Sequence, residues 1–443
     1  MRIAIIGTGI AGNAAAYALA GRADIAVYER ELRPGGHSHT VEIDYDGARV
    51  AVDTGFIVYN ELNYPDLTAL FAHLGVETHP STMGFSFSRD GGRSEWAGKG
   101  TGFWQTADGL FAQRRNLLSL PHLRMLADIL RFNRVARADL AAGQLAGLSL
   151  GDYLAARRIG ARLIEHYIAP MGAAIWSMPS RALLDFPAQN FVTFFDNHRL
   201  LHPDSERPVW RTVVGGSRTY VERLTRPFRQ QMRLGCPAVS VARMPQGVIV
   251  TDASGHRDRF DQVVFACHSD EALALLADAT AEERDILGAV RYGDNKVYLH
   301  RDASLMPRAR RAWAAWNVLH WTPEADRHHA AISYWMNALQ GIDASRPLFV
   351  SLNPPRPPAA DLTFAQFDCA HPQFDAAAFG AQQRLDDIQG VRRSWFCGAW
   401  TGYGFHEDGL RSGLAVAEAL GADVPWRSES WRATRPVLAQ AAE

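Results

Sequence analysis

The sequence predicts an α/β protein in which a Rossmann-like sheet is interrupted by an inserted mixed α+β domain. Residues 2–6 form a short apolar run that is typical of a buried parallel strand. A glycine-rich turn occupies residues 7–12, and residues 13–20 form an alanine-rich helix. A second apolar run at 24–28 ends at Glu29, which completes one βαβ unit of the expected size.

The 443 residues are too many for one simple core, so we expect two domains. Residues 41–59 alternate as strands do, 66–74 have the pattern of a helix, and the leucines and isoleucines of 108–168 have helical spacing. Further strands are predicted at 210–214, 238–241, 247–251, 261–266, 296–301, 330–335, 348–352 and 394–397, and a last helix at 411–420. We therefore predict a discontinuous cofactor domain at 1–75, 210–290 and 385–425, a substrate-binding domain at 76–209 and 291–384, and a loose tail at 426–443.

Composition and charge exclude several classes of function. The net charge is −1, so nucleic acid is not an expected partner, because phosphate binding requires an excess of basic residues. The four cysteines form no CxxC pair, which indicates neither a disulfide framework nor a zinc site. We see no run of about 18 apolar residues and no signal peptide, so we expect a cytoplasmic protein. We also expect no bound metal, because no set of metal ligands is evident.

The turn at 7–12 has the GxGxxG spacing of dinucleotide-binding proteins. Gly7 permits the tight turn, Gly9 lets the backbone approach a pyrophosphate, and Gly12 permits close packing of helix on strand. The helix that follows offers free N–H groups and a positive partial charge to phosphates. Glu29 is placed to accept hydrogen bonds from ribose hydroxyls. This unit alone does not distinguish NAD from FAD.

Later motifs resemble the FAD-dependent amine oxidase and protoporphyrinogen oxidase superfamily, in the same order along nearly the whole chain. They are GGHSHT at 35–40, VDTG at 52–55, VGGS at 214–217, DQVVFA at 261–266, FCGAW at 396–400 and GLRSG at 409–413. The resemblance implies a glutathione-reductase-like fold of the amine-oxidase type. It also implies FAD, bound by Gly7, Gly9, Ile10, Ala11, Gly12, Glu29, Arg30, Gly36, His37, Thr54, Gly55, Phe56, Val239, Gly398, Asp408, Gly409 and Leu410. Two residues depart from the pattern, because His37 replaces an arginine and Ala399 replaces an acid.

Longer strings resemble one subgroup of that superfamily. They include GFIVYN at 55–60, AIWS at 174–177, YWMN at 334–337, LNPP at 352–355 and GFHEDGL at 404–410. They are similar to bacterial flavoproteins encoded near cyclopropane-fatty-acid-synthase-like genes, and to the flavoprotein domain of plant cyclopropane fatty acid synthases. This resemblance implies oxidation chemistry on unsaturated or methyl-modified acyl chains.

Three residues are the candidates for chemistry. Lys296, one of only two lysines, resembles the lysine that amine oxidases place near the flavin, and a desolvated lysine can relay protons as arginine cannot. His406 and Glu407 are predicted to act as acid and base, although helix capping is the alternative for the acids. The predicted substrate-lining residues are Asn60, Tyr64, Trp176, Tyr403 and Phe405.

Residues 113–137 combine arginines and leucines in helical spacing. A basic amphipathic helix can lie on anionic lipid, so peripheral contact with the inner membrane surface is one interpretation. A domain helix with solvated arginines is the other.

The sequence thus predicts an FAD-dependent oxidase or desaturase for a hydrophobic small molecule or lipid, with two alternatives, a flavin amine oxidase and a non-catalytic flavoprotein partner of a lipid methyltransferase.

Overall fold

A parallel five-stranded sheet forms the centre of the protein. The computed structural model describes residues 1–99, 103–320 and 331–427. In spatial order the strands of this sheet are Met232–Arg233, Asp24–Tyr28, Arg2–Ile6, Gln262–Phe265 and Ser394–Phe396. Ile5 pairs with Val27 on one side and with Val264 on the other. The strands are almost fully apolar because both faces of the sheet are covered.

Two helices from opposite ends of the chain pack against each other on this sheet. They are Ile10–Leu19, which follows the glycine turn, and His406–Ala419. A Cβ atom at Gly413 would collide with the carbonyl oxygen of Ala11, so glycine is required for this close approach. The last part of the chain therefore completes the layer that the first part begins.

A seven-stranded, mostly antiparallel sheet forms the second large layer. Its strands, in spatial order, are Thr363–Gln373, Arg291–His300, Phe349–Leu352, Ala331–Trp335, Trp316–His320, Gly84–Arg89 and Ser94–Lys99. One pair, 316–320 with 84–89, runs parallel. The longest pairing joins 291–300 to 363–373, so residues of both strands share one surface.

Three smaller sheets surround these layers. Their strands are Thr40–Tyr45 with Ala48–Asp53, then Tyr59–Asn60, Trp210–Val213 and Thr78–Ser81, and finally Ala238–Met244, Gly247–Asp252 and Arg257–Phe260. The first hairpin turns at Asp46 and Gly47, which both have positive φ, as the two-residue turns that match strand twist require.

Helices cover the remaining surfaces. They are Pro65–Leu74, Phe103–Leu110, Leu120–Ala141, Leu150–Ala156, Ala161–Leu163, Ala169–Trp176, Ala188–Asn197, Arg218–Thr225, Ser269–Leu275, Ala281–Gly288, Met336–Gln340 and Ala376–Gln383. A π-helical turn at Ile164–Ile168 joins two of them, just before Pro170. Proline has no N–H to donate, and the wider turn accommodates it without breaking the helix. No helix of the described residues is long and apolar enough to cross a membrane.

The structure extends and corrects the sequence-based elements. The last helix begins at His406 rather than near 411. The strands at 84–89, 94–99, 316–320 and 363–373 were not predicted, the last because its pattern is polar and includes Pro372. The domain division stays a prediction, although strand 78–81, assigned to the second domain, pairs with strand 210–213 of the first.

The predicted loose tail at 426–443 is wrong for its first two residues. Trp426 stacks on His73 with ring centroids 5.4 Å apart. The guanidinium of Arg427 is buried and lies 3.3 Å from Asp66 and 3.0 Å from Glu418. A buried cation with two carboxylate partners anchors this segment. Residues 428–443 lie outside the described residues.

Candidate active site

One cavity of about 2880 Å³ lies between the parallel sheet and the seven-stranded sheet. Ile6, Tyr28 and Ala266 line it, so it opens at the carboxyl ends of the central strands, where ligands bind in open α/β sheets. Sites for drug-sized molecules measure roughly 300–1,000 Å³. This cavity therefore has room for a dinucleotide and a second molecule.

The glycine turn forms one end of the cavity. Gly7 has φ +102°, and a Cβ atom on Gly12 would collide with the carbonyl oxygen of Gly7. A Cβ atom on Gly9 would meet nothing within 4 Å, because that position faces the cavity, which Ile10 and Ala11 also line. The helix begins after Gly9 without a side-chain cap, so its first N–H groups are available to an anion.

Glu29 lies beside the turn and is 8% exposed. Its Oε2 accepts hydrogen bonds from the backbone N–H and the hydroxyl of Thr8, and its Oε1 accepts one from the N–H of Glu31. These bonds fix the carboxylate at the cavity surface. A carboxylate has about four acceptor positions, so one remains for a ligand hydroxyl.

A second backbone crossing forms the floor of the cavity next to this turn. The N–H of Phe56 donates to the carbonyl of His37, and the N–H of Thr54 donates to that of His39. A Cβ atom on Gly55 would collide with the His37 carbonyl, so only glycine fits. Gly36, His37, Thr54, Gly55 and Phe56 all line the cavity.

Comparison with known proteins decides the family. Residues 10–305, about two thirds of the chain, match the family model for flavin containing amine oxidoreductases. The chain belongs to this family. The search of curated proteins found no match.

Solved structures with the same fold act on different substrates. Putrescine oxidase bound to putrescine superimposes with a TM-score of 0.64 at 16% identity, over 95% of this chain and 99% of that one. A fatty acid isomerase from P. acnes that produces CLA gives 0.65 at 15% identity, over 95% and 99%. Cyclohexylamine oxidase from Brevibacterium oxydans gives 0.62 at 16% identity, over 95% and 99%. At these identities the likeness shows the fold alone, and it confirms the predicted fold class.

This member of the flavin amine oxidoreductase family is an FAD-dependent oxidoreductase. The glycine cradle, the uncapped helix end and Glu29 fit the pyrophosphate and ribose of FAD. Bound flavin accepts a hydride from a substrate, which leaves binding, orientation and water exclusion to the protein. Val239 and Gly398 also line the cavity.

Two arginines lie near the nucleotide end. Arg30 lines the cavity but is 63% exposed at its side chain and pairs with Glu271 at 2.6 Å, so its guanidinium is already engaged. Arg33, which the sequence analysis did not single out, also lines the cavity and donates to the carbonyl of Gly36 at 3.1 Å. Burial lowers its pKa. Arg33 brings a cation close to His37, the position where the family pattern has arginine.

Besides Gly12, which packs against the glycine turn, three predicted cofactor residues do not line the cavity. Asp408 accepts hydrogen bonds from the N–H groups of Tyr403 and Phe405, so it caps the last helix, and burial raises its pKa to about 6. A Cβ atom on Gly409 would meet Ile10, and Leu410 is fully buried in the core. These residues shape the helix end, while Phe405 and His406 present it to the cavity.

Glu407 is also placed differently from the prediction. It is 5% exposed, does not line the cavity, and accepts hydrogen bonds from the N–H groups of Asp66 and Leu67 at 2.9 Å each. It therefore caps the helix Pro65–Leu74 from outside. Burial raises its pKa to about 8, opposed by these two hydrogen bonds. The predicted catalytic role of Glu407 is wrong because its carboxylate faces a helix end.

His406 lines the cavity as predicted, between two aromatic rings. Its ring stacks on Phe56 with centroids 4.0 Å apart, and its Nε2 lies 2.6 Å from the hydroxyl of Tyr220. Burial lowers its pKa to about 3, so the imidazole is neutral at ordinary pH. It can exchange a hydrogen bond but not serve as a cationic acid, and its role in proton transfer stays a prediction.

Lys296 lines the cavity, but it is not desolvated. Its Nζ lies 3.0 Å from a carboxylate oxygen of Asp368 on the neighbouring strand. That hydrogen bond and the charge of Asp368 raise the lysine pKa, whereas the sequence analysis expected burial to lower it. The lysine is therefore a cation paired with an anion at the cavity surface, and its catalytic role stays a prediction.

Next to Lys296 a group of side chains was missed by sequence reasoning. His37, Cys369 and His371 have their ligand atoms within 4.8 Å of one another. Phe367, Cys369 and His371 alternate along strand 363–373 and line the cavity. The signal in the sequence was this period of two, with Asp368 and Ala370 at the positions between.

A chain of amides fixes the state of His371. The N–H of Lys296 donates to Asn353 Oδ1, so Asn353 Nδ2 donates to Asn295 Oδ1 at 2.7 Å. Asn295 Nδ2 then donates to His371 Nδ1 at 3.4 Å, which leaves the proton of a neutral His371 on Nε2, 3.8 Å from the sulfur of Cys369. This tautomer presents a donor rather than a lone pair, which disfavours a metal between His371 and Cys369.

The predicted substrate-lining residues divide into two groups. Tyr64, Trp176, Tyr403 and Phe405 line the cavity. Asn60 does not, because it is fully buried and its Oδ1 accepts the N–H of Asn63 at the turn before helix 65–74. The sequence analysis missed Phe194, which packs against both Tyr403 and Phe405 with centroids 5.8 and 5.1 Å apart.

Proposed function

We propose that the protein removes a hydride from a hydrophobic substrate, an unsaturated or methyl-modified fatty acyl chain, as an FAD-dependent oxidase or desaturase. The proposal rests on one wall of the cavity, which consists of apolar side chains and does not include the glycine turn. Helix residues Tyr167, Met171 and Ile175, spaced four apart, present one apolar stripe to the cavity. An apolar stripe of this kind binds an acyl chain by burying its surface, at about 25 cal/mol per Å².

Aromatic side chains extend this stripe at both ends. Phe85 and Trp96 contact Tyr167 at one end. At the other end Trp176 contacts Phe194, and Phe194 in turn contacts Phe405. We call this wall the apolar chamber. It consists of the helix residues Tyr167, Met171 and Ile175 and of the aromatic residues Phe85, Trp96, Trp176, Phe194 and Phe405.

The histidine beside the chamber carries no charge. His198 stacks on Phe194 with centroids 3.9 Å apart, and burial lowers its pKa to about 4. Its Nδ1 lies 3.0 Å from the carbonyl of Phe194. Asp108 and Asp368 line the cavity outside the chamber, and each already pairs with a cation of this chain, Arg114 and Lys296 respectively. A neutral acyl chain suits these surroundings better than a diamine does.

The fold accommodates this chemistry and its alternatives. A fatty acid isomerase and two amine oxidases have the same fold. Likeness of fold therefore does not choose between lipid and amine. The resemblance of GFHEDGL at 404–410 to flavoproteins linked with cyclopropane synthases adds weight to the lipid.

Flavin bleaching under anaerobic conditions tests the proposal. Purified protein is mixed with phospholipids that carry unsaturated, methyl-branched or cyclopropane acyl chains, and separately with polyamines and aromatic amines. We expect loss of the flavin band near 450 nm with one of the lipids only. Bleaching by amines alone would replace the lipid with an amine substrate. No bleaching by any compound, together with co-purification of a lipid methyltransferase, would favour the non-catalytic partner.

A substitution at Lys296 tests its place in the reaction. Lys296→Met removes the cation that faces Asp368, and we expect flavin reduction or reoxidation to slow by about tenfold or more. Asp368→Asn is the companion variant, because it keeps the lysine but removes the charge that raises its pKa. The pH at which the rate of this variant changes should be lower than for the natural protein, because the pKa of its lysine is lower. Unchanged stopped-flow traces for both variants would remove Lys296 from the mechanism.

A further inference from the structure

A cluster of apolar side chains lies exposed around the start of the long helix Leu120–Ala141. Thirteen large apolar side chains of the described residues are exposed, and five of them fall within 117–130. We call these five the leucine face: Leu117, Leu118, Leu120, Leu123 and Leu130. Leu118 is 91% exposed, Leu120 79% and Leu130 73%. Concentration of exposed leucines in one segment is typical of a surface that contacts a partner or a membrane.

The leucine face points away from the protein core. At 100° per residue, Leu120, Leu123 and Leu130 lie on one side of the helix, whereas the buried Met125, Phe132 and Ala136 lie roughly opposite. Packing inside this chain therefore does not explain the leucines.

Cations surround the leucine face, although the chain as a whole has net charge −1. The segment 113–137 holds a single acid, Asp128, and six exposed arginines at 114, 115, 124, 131, 134 and 137. Arg114 pairs with Asp108 at 2.6 Å and Arg137 lies 3.8 Å from Asp196. Arg124 and Arg134 form no ion pair within the described ranges, so their charge is available to an external anion.

The same helix reaches the cavity. Ile129, Leu130 and Asn133 line it, as does Leu110 of the preceding helix. Leu130 thus belongs both to the leucine face and to the cavity surface. The exposed apolar cluster adjoins an opening of the cavity.

We propose that the leucine face docks on an anionic lipid bilayer, with the arginines on the headgroups and the leucines among the upper acyl carbons. Interfacial helices combine these two kinds of residue because apolar burial and attraction to anionic lipid add to each other. The docked position places the cavity opening at the membrane surface. Delivery of an acyl chain from the bilayer to the apolar chamber rests on the proposed function, but docking itself does not.

Vesicle co-sedimentation of the full-length, flavin-loaded protein tests the docking. The probes are vesicles of phosphatidylglycerol with phosphatidylcholine and vesicles of phosphatidylcholine alone. We expect binding to the anionic vesicles that weakens as salt rises. Arg124→Glu, Arg131→Glu and Arg134→Glu together should weaken it by on the order of 100-fold. Leu118→Asp with Leu120→Asp should abolish it.

Matched variants elsewhere control for general effects. Met244→Asp and Arg229→Glu change an exposed apolar and an exposed basic residue outside the segment, and both should leave vesicle binding within twofold. The melting temperature and flavin content of every variant are measured, so loss of folding is recognised.

The outcomes separate docking from the proposed substrate. No binding to anionic vesicles, or equal binding by the natural protein and the leucine variant, would overturn the proposal. A natural protein that is dimeric in light scattering, with a monomeric Leu118→Asp, Leu120→Asp variant and no vesicle binding, would assign the face to a second copy instead. Vesicle binding without any bleaching by lipids would leave docking supported and reject the acyl substrate.

Discussion

Two glycines of the turn at 7–12 have different tasks, and adding a methyl group at each position in turn distinguishes them. A Cβ atom at Gly12 collides with the Gly7 carbonyl, whereas one at Gly9 meets nothing within 4 Å and projects into the cavity. Position 12 therefore serves folding and position 9 serves the ligand. GxGxxG predicted both tasks from the sequence, since the spacing itself encodes the geometry.

Gly9→Ala is expected to weaken flavin binding without unfolding the protein. The added methyl occupies space needed by the pyrophosphate but touches no protein atom, so the melting temperature of the flavin-free protein should stay within about 2 °C. The flavin dissociation constant, measured by fluorescence quenching, should rise at least about tenfold. Gly380→Ala, in an exposed helix with equally open space, is the control and should leave flavin binding unchanged.

Single residues also show where sequence reasoning stopped. Lys296 reached the cavity as predicted, but its pairing with Asp368 depends on the register of two strands, one of which was not predicted. His371 was missed for the same reason. Glu407 was misassigned because a sequence does not show that helix 65–74 begins against it.

At the scale of elements, buried charges hold helix ends in place. Helix Pro65–Leu74 begins without a side-chain cap of its own, and Glu407 supplies the acceptors from another helix. Behind it, Asp66 meets Arg427. One cluster thus ties the helix near the cavity to the end of the described chain.

Glu407→Ala is expected to destabilise the protein by about 1–3 kcal/mol, because two buried N–H groups lose their acceptor. The free energy of unfolding in urea measures this effect. Glu222→Ala, at an exposed site in helix Arg218–Thr225, is the control and should change stability by less than about 0.5 kcal/mol. If Glu407→Ala instead lost catalytic rate with full stability, the capping role would be wrong.

Arg427→Ala is expected to cost about 3–5 kcal/mol, since it removes the nearer cation of a buried ion pair and leaves Asp66 with the more distant Arg411, 3.8 Å away. Chemical denaturation compares it with Arg229→Ala, an exposed arginine that should have almost no effect. Equal midpoints for the two variants would show that the last described segment does not anchor helix 65–74.

For the whole molecule, buried neutral histidines make stability depend on pH. His166 is 4% exposed and His300 fully buried, and burial lowers their pKa values to about 3 and about 4. Unfolded histidine titrates near 6.5, so the folded state binds fewer protons below that pH. The stability that these histidines contribute is complete above pH 6.5 and is lost as pH falls toward about 4, by up to about 1.4 kcal/mol per pH unit for each residue.

Thermal melts between pH 8 and pH 4 check this dependence. His300→Gln should be less steep than the natural protein between pH 6.5 and 4, because one of the buried titrating histidines is gone. A variant with the same slope would show that His300 does not contribute. His256→Gln, on an exposed turn, is the control and should keep the natural slope.

The larger organisation was predictable where local patterns carry it. The βαβ unit at 2–29 and the return strand at 394–396 have apolar runs next to glycine turns, and the return strand at 262–265 is recognisable by its apolar run alone. Four of the seven strands of the second sheet were not predicted, because strands such as 94–99 and 363–373 are amphipathic, and the second of these pairs with a strand distant in sequence. Phe85 and Trp96 of the apolar chamber lie on strands of this kind and were not predicted, whereas Trp176 and Phe405 were.

The order of strands has a consequence for biosynthesis. The glycine turn is translated well before the strand Ser394–Phe396, which joins its sheet, and the helix His406–Ala419, which packs on its helix. Until those residues are synthesised, the apolar surfaces of the first βαβ unit that they cover are exposed to solvent. We therefore expect flavin to bind only after residues 394–419 have been synthesised, and incomplete chains to expose apolar surface that favours aggregation.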